Sequence, residues 1–194
     1  MKDLPHQLVT EAIEAHQELL ARFKADAAET IGAAARMITQ AVEAGRTVYI
    51  CGNGGSAADA QHIAGELVGR FRRERKALPA IALSTDTSVL TCIANDYDFT
   101  NVFARQVQAL VGDGDVLWAL STSGNSPNII SAVKRAREKG AQVLAFTGKP
   151  GSQLERLADI CFCAASESTA RSQEVHQLAY HIVCDLVEQS FAGD

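Results

Sequence analysis

Hydrophobic residues along the chain follow two different patterns, and the change between them falls near residue 45. Before that point apolar side chains recur every three to four residues, as they do on one face of an amphipathic helix. One such stripe runs from Val9 to Phe23, and a second runs from Ala33 to Val42. The pattern predicts a pair of N-terminal helices, which we expect to pack on the rest of the fold or on a neighbouring subunit.

From residue 46 onward, short runs that are apolar on both faces alternate with segments of helical length. This alternation predicts parallel strands buried between two layers of helices. We therefore expect an α/β fold with a doubly wound, five-stranded parallel sheet in flavodoxin-like order, in which ligands bind at the carboxyl ends of the strands. The predicted strands are Val48–Cys51, Ala80–Leu83, Val116–Leu120, Val143–Phe146 and Ile160–Cys163.

Charge and cysteine content narrow the range of partners and compartments. The formal net charge is −5 without a block of five like charges, which argues against nucleic acid as the main partner. The densest basic stretch, Arg70–Lys76, is interrupted by Phe71 and Glu74, and we interpret it as a solvated surface segment. The five cysteines include no C-x-x-C pair, and the sequence shows neither a secretory leader nor an 18-residue apolar run. We expect reduced thiols in a cytoplasmic protein without a membrane partner.

A glycine-rich loop, Cys51–Ser56, follows the first predicted strand and leads into a helix expected to begin near Ala57. Three glycines in this loop let the backbone approach a ligand closely, and the start of the helix offers free N–H groups. The spacing differs from the G-x-G-x-x-G dinucleotide fingerprint. Taken alone, the loop is equally consistent with a tight turn between strand and helix.

A hydroxyl-rich loop, Ser121–Ser126, follows the third predicted strand and precedes a helix expected from about Asn128. Its four hydroxyl groups at a helix N-terminus suit the three oxygens of a phosphate monoester, and the helix dipole favours the dianion. The loop contains no lysine, so it is not a nucleotide P-loop. The alternative is a capping loop with spare hydroxyls. This alternative is less favoured because the glycine-rich loop, at the end of another strand, is also suited to a ligand.

Two further helices carry side chains suited to a metal ion. His62 and Glu66 are four residues apart and share a helix face, while Gln173, Gln177 and His181 lie within about 80° of one another on the last helix. Taken alone, the first group is explained by a surface ion pair and the second by a solvated polar face. Together they suit zinc, which binds imidazole, carboxylate and carbonyl oxygen. The predicted apolar face of the last helix comprises Val175, Leu178, Ala179, Ile182 and Leu186.

Four segments in a fixed order resemble a known family. They are Cys51–His62, Asn95-Asp96, Ser121–Ser126 and Thr169–His176. The hydroxyl-rich segment resembles the phosphosugar-binding loop of the sugar isomerase (SIS) superfamily, and the other three resemble the phosphoheptose isomerases. The similarity spans nearly the whole chain and implies a single SIS domain over residues 1–194. Residues 1–45 would form its helical N-terminal extension, and residues 46–194 would form the α/β core with the C-terminal helix.

The resemblance also implies an activity. Phosphoheptose isomerases convert sedoheptulose 7-phosphate to D-glycero-D-manno-heptose 7-phosphate through an enediolate, the first step of ADP-heptose biosynthesis towards lipopolysaccharide, and are typically homotetramers. This reaction needs a base, an acid and an electrophile, and Glu66 and His181 are the expected catalytic residues. The alternative is a non-catalytic SIS-domain regulator that binds the bacterial replication initiator. The acid and imidazole at positions 66 and 181 favour the enzyme, because that regulator lacks them.

The resemblance assigns ligands for one Zn²⁺ per subunit and contacts for the sugar phosphate. The implied metal ligands are His62, Glu66, Gln173 and His181. The implied substrate-binding residues are Asn53, Gly54, Gly55, Glu66, Asn95, Asp96, Ser121, Thr122, Ser123, Ser126 and Gln173. Because eight residues, or about 12 Å of helix, separate Gln173 from His181, Gln177 or a water is an alternative ligand. Glu66 is either a firm ligand or a free base, and His176 is expected to be structural or to support a metal ligand without binding the metal itself.

Some positions have a second interpretation. Asn95-Asp96, expected just after the helix that follows the second strand, also suits a helix-ending turn. Ala170 stands where some members of the family have an acidic residue, which places any proton relay through that acid in doubt for this chain. Asp59 and Arg70 either touch the site or a neighbouring subunit, or are surface residues.

Overall fold

The computed structural model describes residues 4–193, apart from the side chains of residues 25 and 26. Within that range, seven α-helices and one 3-10 helix (Phe99–Asn101) surround a five-stranded sheet. The strands are β1 (Val48–Cys51), β2 (Ala80–Ala82), β3 (Val116–Ser121), β4 (Gln142–Thr147) and β5 (Ile160–Cys163). The helices are α1 (Leu4–Glu43), α2 (Gly55–Val68), α3 (Thr87–Asp96), α4 (Ala104–Leu110), α5 (Pro127–Glu138), α6 (Gln153–Leu157) and α7 (Thr169–Phe191).

The sheet is parallel throughout and has the order β2-β1-β3-β4-β5, which confirms the predicted doubly wound, flavodoxin-like fold. Val48 of β1 lies between Ala80 of β2 and Val116 of β3. The strand order reverses between β1 and β3, so the chain leaves these two neighbours towards opposite faces of the sheet. The glycine-rich and hydroxyl-rich loops therefore begin side by side.

The predicted pair of N-terminal helices is wrong, because α1 is one continuous helix of 40 residues. The segment between the two apolar stripes, residues 24–32, contains no proline and is dominated by alanine and charged residues, which favour helix. The backbone therefore continues through a stretch where the apolar stripe is interrupted. Ile31 and Ile38 in the second half of α1 are buried in the core, whereas Leu8 and Ile13 in the first half are more than half exposed.

The two faces of the sheet are covered by two separate helix layers. Helices α1, α2 and α7 pack on one face, where Ile38, Ile63 and Val183 are fully buried. Helices α3 to α6 cover the other face, with Val107 and Ile129 fully buried. This arrangement places α2 and α7, the two helices predicted to carry metal ligands, side by side.

The buried face of α7 differs from the predicted one. Leu178 and Leu186 are 39% and 37% exposed, whereas Tyr180, Val183 and Val187 are fully buried. The helix contacts α1 on one side and α2 on the other, so its buried face is rotated about the helix axis relative to the predicted one. This rotation brings Tyr180 into the buried face.

The basic stretch Arg70–Lys76 is not a solvated segment throughout, because the Arg75 side chain is only 1% exposed. Its guanidinium lies 3.6 Å from the carboxylate of Glu188, which is equally buried. A partner 113 residues away, on α7, neutralises this arginine. Charge patterning within the stretch gives no sign of that pairing.

All five cysteines are free thiols, as predicted. Burial raises the pKa of Cys51 to about 12, so this thiol stays protonated behind the glycine-rich loop. In residues 4–193, none of the helices combines the length and the apolar character needed to cross a membrane.

His176 is a fully buried histidine on α7, and the structure supports its predicted structural role. Its Nε2 lies 2.9 Å from the carbonyl oxygen of Thr147, and the rings of Phe146 and Phe162 surround it at 5.5 and 6.0 Å. Burial lowers the pKa of His176 to about 4, and the hydrogen bond to Thr147 opposes this shift only in part.

Acidification is expected to destabilise the protein through His176. The unfolded chain takes up this proton near pH 6.5 and the folded chain only near pH 4, so stability is full above pH 6.5 and falls as the pH drops towards 4. The shift corresponds to about 3 kcal/mol. Urea unfolding from pH 7.5 to 4.5 should show a shallower loss in His176→Gln than in the wild type, with exposed His6→Gln as control. Equal slopes for wild type and His176→Gln would contradict this assignment.

Candidate active site

Three of the predicted metal ligands converge where α2 and α7 meet. The candidate ligand atoms of His62, Glu66 and His181 all lie within 4.8 Å of one another. The Nε2 of His62 is 2.9 Å from Oε1 of Glu66, and the ring centroids of His62 and His181 are 5.0 Å apart. Two imidazoles and one carboxylate this close together fit a single zinc ion and leave a position for a further ligand. We refer to these three residues as the metal triad.

The triad follows from local helix geometry and from packing. His62 and Glu66 share a face of α2 because they are one turn apart. Between and beside them, Ala60, Ile63 and Leu67 are buried against the sheet, which fixes the rotation of α2. The neighbouring α7 then brings His181 to the same place.

Tyr180 and Asp59 support His62 from behind. The hydroxyl of Tyr180 lies 2.9 Å from Nδ1 of His62 and donates to Oδ1 of Asp59 at 3.4 Å. Burial raises the pKa of Tyr180, and the Asp59 charge raises it further, so the phenol keeps its proton. With that proton directed at Asp59, the phenol oxygen accepts from Nδ1–H of His62. In this tautomer Nε2 of His62 carries a lone pair, and together with Oε1 of Glu66, 2.9 Å away, it offers a pair of acceptor atoms to a metal ion.

His181 lies between Phe71 and the other triad residues. Its ring stacks on Phe71 with centroids 5.4 Å apart and planes at 22°. Burial lowers the pKa of His181, nearby His62 and Arg72 lower it further, and only Glu66 raises it. A neutral imidazole near pH 7 suits both metal binding and proton transfer.

The glycine-rich and hydroxyl-rich loops enclose a cavity of about 310 Å³ at the carboxyl ends of β1 and β3. The hydroxyl oxygen of Ser121 lies 3.0 Å from that of Ser126 and 3.3 Å from that of Ser123. Helix α5 begins at Pro127, so its N-terminus also faces this region. The cavity is lined by Asn53, Gly54, Gly55, Ser56, Leu120, Ser121, Thr122, Ser126, Thr169 and Gln173.

Paired amides join the two loops. The side chains of Asn53 and Asn128 exchange two hydrogen bonds of 2.8 and 2.9 Å. Asn128 is buried in the first turn of α5, so this pair sets the spacing between the glycine-rich and hydroxyl-rich loops. No pattern in the sequence identifies Asn128 as part of the site.

The glycine-rich loop is shaped by two backbone requirements. Gly54 has a φ of +54°, a conformation that glycine adopts without strain. A Cβ on Gly55 would lie 2.5 Å from Nε2 of Gln173, so any larger residue would displace the Gln173 side-chain amide from the loop. Gln173 therefore lies against the loop, about two helix turns from His181. Its role as a metal ligand stays a prediction, as does the alternative of Gln177, which is exposed.

Comparisons with known proteins show the family of this chain. A model of the SIS domain matches residues 13–148. A phosphoheptose isomerase from Aromatoleum aromaticum is 50% identical over 194 aligned positions, which cover 98% of each chain. The chain belongs to the phosphoheptose isomerase family of SIS-domain proteins. Among solved structures, the phosphoheptose isomerases of Neisseria gonorrhoeae and Francisella tularensis align with TM-scores of 0.90 and 0.92. Their sequences are 40% and 35% identical, and each alignment covers 95% of this chain and 98% of the other.

One pair that the family resemblance assigns to the substrate lies elsewhere in this chain. Asn95 and Asp96 were expected to follow α3, but they form its last two residues. The Nδ2 of Asn95 donates to Oδ1 of Asp96 at 2.9 Å. The helix extends through them because Tyr97 still donates its N–H to Ile93. Asp96 lines a separate cavity with Tyr97 and Arg105, not the hydroxyl-lined one. A substrate role for this pair stays a prediction.

The structure shows the surroundings of the other positions that had two interpretations, Asp59, Arg70 and Ala170. Asp59 lies behind His62, as described above, whereas Arg70 is largely exposed and pairs with Glu74 at 3.8 Å. Ala170 is exposed in the first turn of α7. Sequence reasoning missed Tyr180, although a tyrosine within the mostly apolar run from Leu178 to Cys184 is a polar group that needs a partner.

Proposed function

We propose that this chain isomerises sedoheptulose 7-phosphate, a phosphorylated seven-carbon ketose, to the aldose D-glycero-D-manno-heptose 7-phosphate. The observation that carries the proposal is the convergence of Glu66 and His181 within the metal triad, on the same two helices that border the hydroxyl-lined cavity. The high identity to phosphoheptose isomerases along the whole chain supports the same activity.

The reaction moves one proton from C1 to C2 and one between the two oxygens. Glu66 takes the C1 proton through Oε2, because Oε1 faces His62, and returns it to C2 of the enediolate. His181 takes the proton from the C1 hydroxyl and passes it to the C2 oxygen, which changes from a carbonyl to a hydroxyl oxygen as C1 becomes the aldehyde. A zinc ion held by His62, Glu66 and His181, with Gln173 as the further predicted ligand, would supply positive charge to stabilise the enediolate.

The separation of the two parts of the site suits a long substrate. His62 is seven residues beyond Gly55 on α2, and His181 is eight beyond Gln173 on α7, which places the triad about 10–12 Å from the cavity along both helices. Six carbon–carbon bonds of about 1.5 Å in zigzag, with the phosphate ester, span roughly 10 Å. With its phosphate at the hydroxyl-rich loop, an extended seven-carbon sugar reaches the triad with C1 and C2.

The hydroxyl-rich loop is expected to control substrate affinity more than turnover. Ser121→Ala and Ser126→Ala each remove one hydrogen bond to a charged phosphate, which should raise KM by about 10-fold or more with a smaller change in kcat. Steady-state kinetics with the purified variants measures both parameters. Ser131→Ala, on α5 outside the cavity, is the matched control. A kcat loss at unchanged KM would place the phosphate elsewhere.

Turnover and metal content together test the proposed function. Purified protein is incubated with sedoheptulose 7-phosphate, the product is trapped with a heptose kinase, and bound metal is measured by elemental analysis. We expect turnover with about one zinc ion per chain and much weaker turnover of five- and six-carbon ketose phosphates. Absence of turnover together with tight binding of a bacterial replication initiator would favour the regulator instead.

Several finer points belong to the same proposal. We propose one SIS domain over residues 1–194, of which residues 1–3 and 194 lie outside the described range; the shared core of α1 and α7 supports it. A homotetramer is supported by Leu4, Leu8, Val9 and Ile13, which expose an apolar stripe along the start of α1. Light scattering coupled to size-exclusion chromatography measures that state. A cytoplasmic location remains a prediction from the sequence, and a place at the start of ADP-heptose synthesis remains a prediction from the resemblance.

A further inference from the structure

A buried ion pair joins the end of α2 to the end of α7, beyond the metal triad. The side chains of Arg75 and Glu188 are each 1% exposed, with Nε and Oε1 3.6 Å apart. Glu188 lies seven residues, or two helix turns, beyond His181, so both residues project from one side of α7. Neither residue lines the cavity, and Arg75 contacts the triad only through the backbone of Glu66.

The carboxylate of Glu188 binds the segment that follows α2. It accepts backbone N–H groups from Phe71, Arg72 and Arg73 at 2.7, 2.7 and 2.8 Å. Burial alone would raise the pKa of Glu188, but these three donors and Arg75 outweigh it and hold the pKa below its usual value. A charged carboxylate with this many donors fixes the backbone of residues 71–73.

The guanidinium of Arg75 binds the end of α2 itself. Its Nη2 donates to the carbonyl oxygen of Glu66 at 2.7 Å, and its Nη1 donates to the carbonyl oxygen of Gly69 at 2.9 Å. These carbonyls belong to the last turns of α2, where helix-internal donors run out. One arginine therefore holds the backbone of a triad residue.

The segment fixed by this pair reaches the triad through one aromatic ring. The N–H of Phe71 is held by Glu188, and its ring stacks on His181. The pair thus acts on both sides of the site, on Glu66 through the α2 backbone and on His181 through Phe71. Metal-binding geometry depends on such supporting contacts, whose loss costs about 10- to 100-fold in metal affinity or activity.

We propose that Arg75, Glu188 and Phe71 are positioning residues that fix the relative placement of α2 and α7 at the metal triad. This proposal rests on the proposed function only for the identity of the metal and the reaction. None of the three residues contacts substrate or metal; they preset the distances among His62, Glu66 and His181.

Zinc affinity, measured by competition with a chromophoric chelator, tests the proposal without relying on turnover. Glu188→Gln and Phe71→Leu are each expected to weaken zinc binding by about 10-fold or more and to lower kcat, with KM for the sugar phosphate nearly unchanged. Phe71→Tyr, which retains a stacking ring, should bind zinc within about twofold of the wild type. Phe71→Leu changes only a half-buried ring, so it provides a folded variant even when Glu188→Gln is unstable.

Asp115→Asn provides the matched control for general destabilisation. Asp115 is also a buried carboxylate that accepts backbone N–H groups, from Thr47 and Gly112, but it precedes β3 at the opposite end of the sheet. We expect it to lower the melting temperature and leave zinc affinity within about twofold. Zinc affinity unchanged in both Glu188→Gln and Phe71→Leu, or reduced equally in Asp115→Asn, overturns the proposal, as does a wild type that binds no zinc. Variant-specific loss of zinc affinity in a protein without heptose isomerase activity would support the positioning role and reject the proposed function.

Discussion

Glu66→Gln is expected to reduce kcat for sedoheptulose 7-phosphate by about 10³-fold, and His181→Ala by a similar factor. An amide in place of the Glu66 carboxylate cannot take the C1 proton, and alanine in place of His181 removes the group that moves protons between the oxygens. Each variant also loses or weakens one of the three groups that converge in the triad. Steady-state kinetics, with zinc content measured on the same samples, provides the test.

Zinc content separates the two roles of Glu66. Retained zinc with lost turnover identifies a base, whereas joint loss of zinc and turnover identifies a ligand on which the site depends. Glu74→Gln removes the same charge from an exposed glutamate and should leave kcat within about twofold of the wild type. Turnover near the wild-type level in both Glu66→Gln and His181→Ala would remove the catalytic assignment and leave the fold unaffected.

The parts of the structure that the sequence predicted correctly depend on short-range patterns. Apolar runs such as Val116–Leu120 identify buried strands because both faces of a parallel strand are covered. The two ligand loops follow from the same prediction, since the carboxyl ends of neighbouring strands lie at one edge of the sheet. His62 and Glu66 share a face through helix periodicity alone.

The parts that the sequence did not predict depend on contacts between distant segments. Arg75 looks like a surface residue until Glu188, 113 positions later, is placed beside it. The meeting of α2 and α7 also explains why Tyr180 is buried and Leu186 is half exposed. The wrong prediction for α1 has a different cause. The apolar stripe is interrupted near the middle of the helix, which suggests a break, but the residues there have high helix propensity, so the helix continues.

The candidate site was predicted as a set of residues but not as a geometry. His62, Glu66 and His181 meet, and the two loops enclose a cavity that Gln173 lines. Whether Gln173 also binds the metal stays a prediction, because eight residues of helix, about 12 Å, separate it from His181. Asp96, the last residue of α3, lines a different cavity from the two loops, and no pattern within the sequence could place the Asn95-Asp96 pair relative to those loops.

Glu188→Ala is expected to destabilise the protein by about 3–5 kcal/mol, the typical effect of removing one partner of a buried ion pair. The Arg75 guanidinium would stay buried without its counter-charge, and the N–H groups of Phe71, Arg72 and Arg73 would lose their acceptor. Urea unfolding at pH 7.5 measures this loss. Glu167→Ala, which removes an exposed carboxylate paired with Lys149, should cost less than about 1 kcal/mol.

A double variant separates the charge from the hydrogen bonds. Arg75→Met with Glu188→Leu removes both charges, so it should recover part of the stability lost in Glu188→Ala. Full recovery is not expected, because the partly buried backbone N–H groups of residues 71–73 would remain without their protein acceptor. A Glu188→Ala loss within about 1 kcal/mol of the Glu167→Ala loss would mean that the pair is solvated when the protein is in solution. In that case neither the stability of α7 nor the placement of Phe71 against His181 depends on Glu188.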